Sequence, residues 1–206
     1  MNRYRLKSRG SMVLLGALAL LGLAGGPERA DANDTLSNTA SASAVDAQLA
    51  HVRGELAATK ARLDRAQAVL HYSTLYKIPA DLSAAIHDIA RAEGIDPDIG
   101  FRLVRVESGF RRDAVSPMGA IGYTQIRLPT ARTLDPRVTE RDLRRRDVNL
   151  RLGFRYLRHM LETHDHDMTL ALLAYNRGPG RVQQILAEGG DPRNGYARTV
   201  LEGYRR

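Results

Sequence analysis

The stretch Asp96-Pro97-Asp98-Ile99-Gly100-Phe101-Arg102-Leu103-Val104-Arg105-Val106-Glu107-Ser108-Gly109 reads as one short helix with both ends marked. Asp96 supplies an N-cap, Pro97 has the fixed φ that suits the first helical position, and Gly109 is the residue type that closes a helix. A rotation of about 100° per residue gathers Ile99, Leu103 and Val106 on one side and sends Asp98, Arg102 and Arg105 to the other. Glu107 flanks the apolar side, next to Val104. Its i−3 and i−4 neighbours are apolar, and its i+4 neighbour, Arg111, lies beyond the glycine, so no helical ion pair serves it. A carboxyl that loses water without gaining a cation has its pKa raised, which suits a general acid near neutral pH. The same geometry also accommodates a solvated glutamate at a frayed helix end.

Outward from this helix the chain shows only helical punctuation. Pro79 isolates residues 80–206, long enough for one compact domain with its own core. Asp81 is positioned to cap a helix running to Gly94, and further helices are predicted around 125–133, 149–163, 168–175, 181–188 and 192–204. Valine and isoleucine recur at three and four residues instead of alternating, so no strand is predicted and the fold class is all-α. Ahead of Pro79, residues 46–78 form one helix in which Leu49, Leu56, Leu63 and Leu70 repeat every seven positions, with Val52 and Ala66 beside them. Gly54 and Thr59 weaken that seam, so it reads equally as a coiled coil, a docking element or a helix folded back on the domain. Residues 33–45, rich in Ser, Ala, Asn, Asp and Thr, read as a flexible linker.

The first 32 residues have the parts of an export signal: Arg3, Arg5, Lys7 and Arg9, an apolar run from Met12 to Ala24, and a small-x-small site at Ala30-Asp31-Ala32. The run is short for a membrane span. The formal charge is +8, and cleavage after Ala32 removes five of the 31 basic and two of the 23 acidic residues, leaving +5. The arginines are dispersed and not interleaved with aromatics, which argues against nucleic acid as partner. The chain has no cysteine, which excludes a thiol nucleophile, a thiolate metal site and a lipid-bearing cysteine. His164-Asp165-His166-Asp167 alternates ligand types on a polar loop without a metal-binding spacing, so neither metal nor other cofactor is expected.

Two further clusters stand beside Glu107. Residues 116–125, Ser-Pro-Met-Gly-Ala-Ile-Gly-Tyr-Thr-Gln, make a loop broken by Gly119 and Gly122, permissive of a backbone path close to a ligand or simply of a turn. Ala174-Tyr175-Asn176-Arg177-Gly178 puts an aromatic face and an amide at a helix end, suited to sugar hydroxyl and acetamido groups, or to a plain C-cap with a core tyrosine.

Taken in order, Glu107-Ser108-Gly109-Phe110, the loop from Ser116 to Gln125 ending at Pro129, Asn149-Leu150 with Gly153 and Tyr156-Leu157, Ala174-Tyr175-Asn176 with Gly178, and Tyr196 resemble the catalytic domain of the soluble lytic transglycosylases. The resemblance spans about Leu82 to Tyr204. It implies a lysozyme-like, all-helical fold around a glycan cleft, and peptidoglycan cleavage between N-acetylmuramic acid and N-acetylglucosamine that leaves a 1,6-anhydro product. It also implies Glu107 as the catalytic acid and base, and Ser116, Gly122, Gln125, Tyr175, Asn176 and Tyr196 as substrate-binding residues. The chain departs from the family's usual Gly-Leu-Met-Gln with Gly122-Tyr123-Thr124-Gln125, carries Arg127 before Pro129, and has Arg177 where a small residue is usual. No match exists for the glutamate often found shortly before the last tyrosine. The competing expectations are a hydrolytic muramidase in which Asp113, Asp135 or another carboxylate activates water, and a non-catalytic peptidoglycan-binding protein. The 46–78 helix offers a docking element for an envelope-spanning secretion or conjugation apparatus, and the periplasm or cell envelope is the expected place of action.

Overall fold

A computed structural model describes residues 32–204, with side chains from residue 43; the stretch expected to be an export signal, up to Asp31, lies outside the described residues. The chain divides into two units at Gly54, and the described part of the first is wholly helical. Helix α1 runs Ala32–Tyr76 and so includes the stretch whose composition predicts a linker. Residues 33–45 contain no glycine or proline to stop a helix, and several alanines favour one.

The second unit folds around α2 (Ala80–Ala92), α3 (Pro97–Ser108), α6 (Arg146–Thr163), α7 (Met168–Arg177) and α9 (Tyr196–Leu201). Ile86, Ile99, Phe101, Leu103, Leu150, Phe154, Leu157 and Leu172 are fully buried at their junction. Each such side chain contributes about 1.5–3 kcal/mol through apolar burial, so this cluster carries the fold. The last turns of α1 join it: Tyr72 stacks on Phe101 with centroids 4.1 Å apart, Tyr76 lies 5.7 Å from the same ring, and Ser83 Oγ donates to the Val69 carbonyl at 2.8 Å. The heptad leucines of this second unit take no part in this packing. Leu56, Leu63 and Leu70 stay 56–69% exposed, because the row Val69, Tyr72, Tyr76 has the aromatic partner and the leucine row has none among the described residues.

A smaller apolar cluster lies under the loop region. It joins Ile121, Ile126, Ala131, Val138, Leu143 and Leu152 from strands β1 (Ala120–Ile121) and β2 (Ile126–Arg127), helices α4 (Leu128–Leu134) and α5 (Glu140–Leu143), and one side of α6. The two strands pair antiparallel, Ala120 with Arg127 and Ile121 with Ile126, and correct the strand-free expectation. Two-residue strands are too short to show alternation, and their turn depends on positive φ at Gly122 and at Gln125 (+72° and +47°). The helix expected from Gln125 accordingly starts at Leu128. Helix α8 (Pro179–Ala187) completes the set.

The capping of α3 follows its sequence: Asp96 accepts from the Asp98 amide at 2.8 Å, and Gly109 ends the helix at φ +57°. At α2 the cap is Pro79, not Asp81, which sits in the first turn and reaches across to Arg146 at 2.8 Å. Helix α5 has a capping box between Thr139 and Asp142, outside the usual signature, which ends in glutamate or glutamine.

The other end of α2 is tied to α6 by charge. Glu93, 4% exposed, takes two hydrogen bonds from Arg155 at 2.9 and 3.1 Å, with Arg158 at 3.5 Å and Arg151 at 4.0 Å. Glu93→Ala leaves three arginines facing one another. A buried pair broken on one side costs about 3–5 kcal/mol, and these arginines are half in water, so a loss of about 2 kcal/mol is expected in chemical denaturation. A loss below about 0.5 kcal/mol would show the cluster to be indifferent to folding.

Candidate active site

Helix α3 delivers Glu107 to a cleft between the helical core and the small lobe of β1, β2 and α4. Tyr156 on α6 packs against both apolar clusters and marks their meeting line. The inner cavity, about 390 Å³, is lined by Glu107, Ser116, Gln125, Tyr156, Tyr175 and Asn176, with Met118, Arg127 and Thr130 on its small-lobe side. A more open arm of about 720 Å³ shares Glu107, Ser116 and Gln125 and adds Arg111, Arg112 and Asp113.

Burial pushes the Glu107 carboxyl up to about 7. The Tyr196 hydroxyl donates to Glu107 Oε1 and opposes part of that rise. No cation contributes: the Arg111 Nε donates to the Ser108 carbonyl at 2.9 Å. Burial and the nearby carboxylate hold the Tyr175 and Tyr196 hydroxyls well above the usual phenol range, so both remain neutral donors at any working pH.

The remaining expected residues take more specific parts than stacking or backbone approach. Tyr175 donates its hydroxyl to the Thr124 carbonyl at 2.8 Å and leans on Tyr156 with ring centroids 5.3 Å apart, so it forms a half-buried part of the cavity wall that Glu107 also lines. Both donors of the Gln125 amide go to the Ala114 and Gly122 carbonyls, at 3.1 and 3.0 Å, leaving Oε1 as its free acceptor toward the cleft. Ser116 Oγ accepts from the Ala120 amide at 3.0 Å and retains its own proton to give. Gly122 is buried and lines neither cavity; its φ of +72° and a Cβ that would stand 2.6 Å from Asn149 Nδ2 account for glycine at this position.

Asn149 is the hub that fixes this loop. Its Nδ2 donates to the Ile121 and Leu143 carbonyls, while its Oδ1 accepts from the Thr124 amide and hydroxyl, all within 2.8–3.0 Å. A buried amide with every site filled rigidifies what it holds, here the turn that carries Gln125. Another residue missed in the sequence is Asn194, whose Nδ2 donates to Asn176 Oδ1 at 2.9 Å and whose Oδ1 accepts from the Tyr196 amide at 3.2 Å. Asn194 thereby couples the end of α7 to the start of α9 and sets Tyr196 over Glu107; the turn-forming Asn194-Gly195 pair was the available signal. Asp135 lines neither cavity, and among the described residues no group of three His, Asp or Glu side chains is placed to hold a metal ion.

Fold and site together define a helical, lysozyme-like domain whose open cleft is served by one desolvated glutamate. Residues 84–194 match the family described as the transglycosylase SLT domain, more than half of the chain, and the chain belongs to that family. Over 108 residues it is 30% identical to the peptidoglycan transglycosylase gp16 of Escherichia phage T7, a match covering 51% of this chain and 8% of that protein. Among solved structures, an inactive mutant of the lytic transglycosylase Slt from Pseudomonas aeruginosa aligns over 57% of this chain and 22% of its own, with 30% identity and a TM-score of 0.50. The 70 kDa soluble lytic transglycosylase of Escherichia coli aligns over 60% of this chain and 23% of its own, at 23% identity and a TM-score of 0.51, a likeness of fold. The chain thus spans under a quarter of the length of each of these relatives.

Proposed function

We propose that this chain is a peptidoglycan lytic transglycosylase in which Glu107 serves as both acid and base. The observation that carries the reading is a glutamate desolvated to a pKa of about 7 in a sugar-sized cleft, with no carboxylate among the causes of its shift. Glycosidases that use water pair two carboxylates, so a lone one favours chemistry in which the sugar provides the nucleophile. In this mechanism the protonated Glu107 gives its proton to the glycosidic oxygen as the bond to C1 of the N-acetylmuramic acid breaks. The acetamido group of that sugar stabilises the oxocarbenium-like state. The resulting Glu107 carboxylate then takes the proton of the C6 hydroxyl, whose oxygen closes on C1 to give the 1,6-anhydro ring. No water is consumed and Glu107 ends protonated, ready for the next bond.

Tyr196 aims the carboxyl and trims its pKa. Removing the hydroxyl in Tyr196→Phe takes away an interaction that favours the charged form, so the Glu107 pKa rises further. The expected result is an alkaline limb of kcat/KM displaced to higher pH, with a lower plateau from poorer aim. An unmoved limb would separate Tyr196 from the acid.

A hydrolytic reading has one observation in its favour, since Asp113 lines the open arm that Glu107 also lines. In that case Asp113→Asn abolishes activity and the products carry reducing ends; in the transglycosylase, Asp113→Asn retains the chemistry. The proposed setting is the cell envelope, where the substrate lies; among the described residues no helix is long and apolar enough to cross a membrane. We also propose the exposed leucine row of α1 as the contact with an envelope-spanning secretion or conjugation apparatus. Because Val69, Tyr72 and Tyr76 belong to the core, its test is polar substitution of Leu56 and Leu63, which should abolish partner capture and leave glycan cleavage intact.

A further inference from the structure

Helix α9 has work on two sides. Its Tyr196 hydroxyl reaches Glu107, while a rotation of about 100° per residue turns Ala197, Arg198 and Leu201 away from that contact. With Thr169 and Leu173 of α7, and with Arg193 and Gly195 ahead of α9, these side chains line a separate cavity of about 430 Å³. None of them lines either arm of the cleft. The volume falls in the range of small-molecule sites, about 300–1,000 Å³.

The depth of this cavity is apolar: Leu173 and Ala197 are buried, and Leu201 packs against the same core. Its two guanidinium groups are in different states. Arg193 is matched, with Nε 2.8 Å and Nη2 2.7 Å from Asp191 Oδ2. Arg198, exposed at the edge beside the Thr169 hydroxyl, meets no carboxylate and no other hydrogen-bonding partner among the described residues. No carboxylate lines the cavity. Asp167 is turned to capping α7, where it accepts from the Thr169 and Leu170 amides at 2.8 and 3.0 Å. An apolar depth with one unmatched cation and one hydroxyl at its edge is complementary to a molecule that is apolar along its length and anionic at one end.

We infer that the cavity between α7 and α9 is a binding site for a single-chain carboxylate of medium length, its methylenes against Leu173, Ala197 and Leu201 and its carboxylate on Arg198. The inference goes beyond the glycan chemistry of the cleft and does not depend on it.

The test is calorimetric titration of the full chain with octanoate, octan-1-ol and octylamine, and with hexanoate to read the effect of chain length. Octanoate binds, octan-1-ol binds roughly tenfold more weakly because it lacks the charge, and octylamine does not bind. Each buried methylene contributes about fourfold in affinity, so hexanoate binds about tenfold more weakly than octanoate or worse. Arg198→Gln removes the preference for octanoate over octan-1-ol, and Arg198→Glu turns it toward octylamine. Thr169→Trp fills the cavity from an exposed position and abolishes binding, with thermal unfolding of the variant as the check on its fold. No binding of octanoate, equal affinity for octanoate and either neutral or cationic ligand, or a preference that survives Arg198→Gln overturns the inference. Binding that survives Thr169→Trp puts the ligand elsewhere on the chain and overturns it as well.

Discussion

Glu107→Gln is expected to lower glycan cleavage by about two to four orders of magnitude, the usual worth of a positioned acid-base group. The amide keeps the shape and still accepts from Tyr196, so the cleft stays formed while the transferable proton is gone. The same substitution should also stabilise the fold at alkaline pH. Glu107 has a folded pKa near 7 against an ordinary 4.5, so the native chain binds the extra proton between those values and loses stability as pH rises through that window. Above pH 7 the charged carboxylate costs the native state roughly 3 kcal/mol, which Gln does not incur; below about pH 4.5 the two proteins converge. Thermal unfolding at pH 8 and pH 4 reads this directly. Equal stability of the two proteins at pH 8 would show that Glu107 is solvated, and would remove the physical ground for its role as acid.

Gly153→Ala is expected to be the most damaging small change away from the carboxylate. A Cβ at position 153 would stand 2.3 Å from both Cβ and Oγ1 of Thr124, on the backbone turn that the Asn149 side chain secures with three hydrogen bonds. Neither side yields cheaply, since α6 is a packed helix and Thr124 is fully buried. Overpacking of this kind costs about 3 kcal/mol or more, some 6–12 °C in melting temperature for a domain this size. Activity should fall below what the stability loss explains, because the displaced turn carries Gln125 and the Thr124 carbonyl that anchors Tyr175. A melting temperature within 2 °C of the parent would mean the turn moves freely, and the rigid-hub account of Asn149 would fail.

What the sequence disclosed, and what it withheld, follows from the range of the interactions involved. The helix 97–108 was legible because cap, period and terminating glycine all lie within fourteen residues, and Glu107 was legible because its apolar neighbours lie on the same helix. Asn149 falls within a family motif, yet its role has no local trace, since its partners Ile121 and Thr124 are 28 and 25 residues away. The hairpin was too short to display a period. The leucine repeat of α1 drew attention to one face, while the packed face is chosen by Phe101, a residue on another helix. Tyr196 entered through family resemblance; its contact with Glu107 spans 89 residues and has no local trace. The two arginines of the open arm read as ordinary surface charge until the fold showed both lining the cavity of the glutamate.

The most direct test is mass spectrometry of muropeptides released from purified peptidoglycan by the unmutated chain and by Glu107→Gln. The expected result is 1,6-anhydro-muropeptides from the unmutated chain and almost none from Glu107→Gln. Products with free reducing ends, or anhydro products in equal yield from both proteins, would contradict Glu107 as the single acid and base of a lytic transglycosylase.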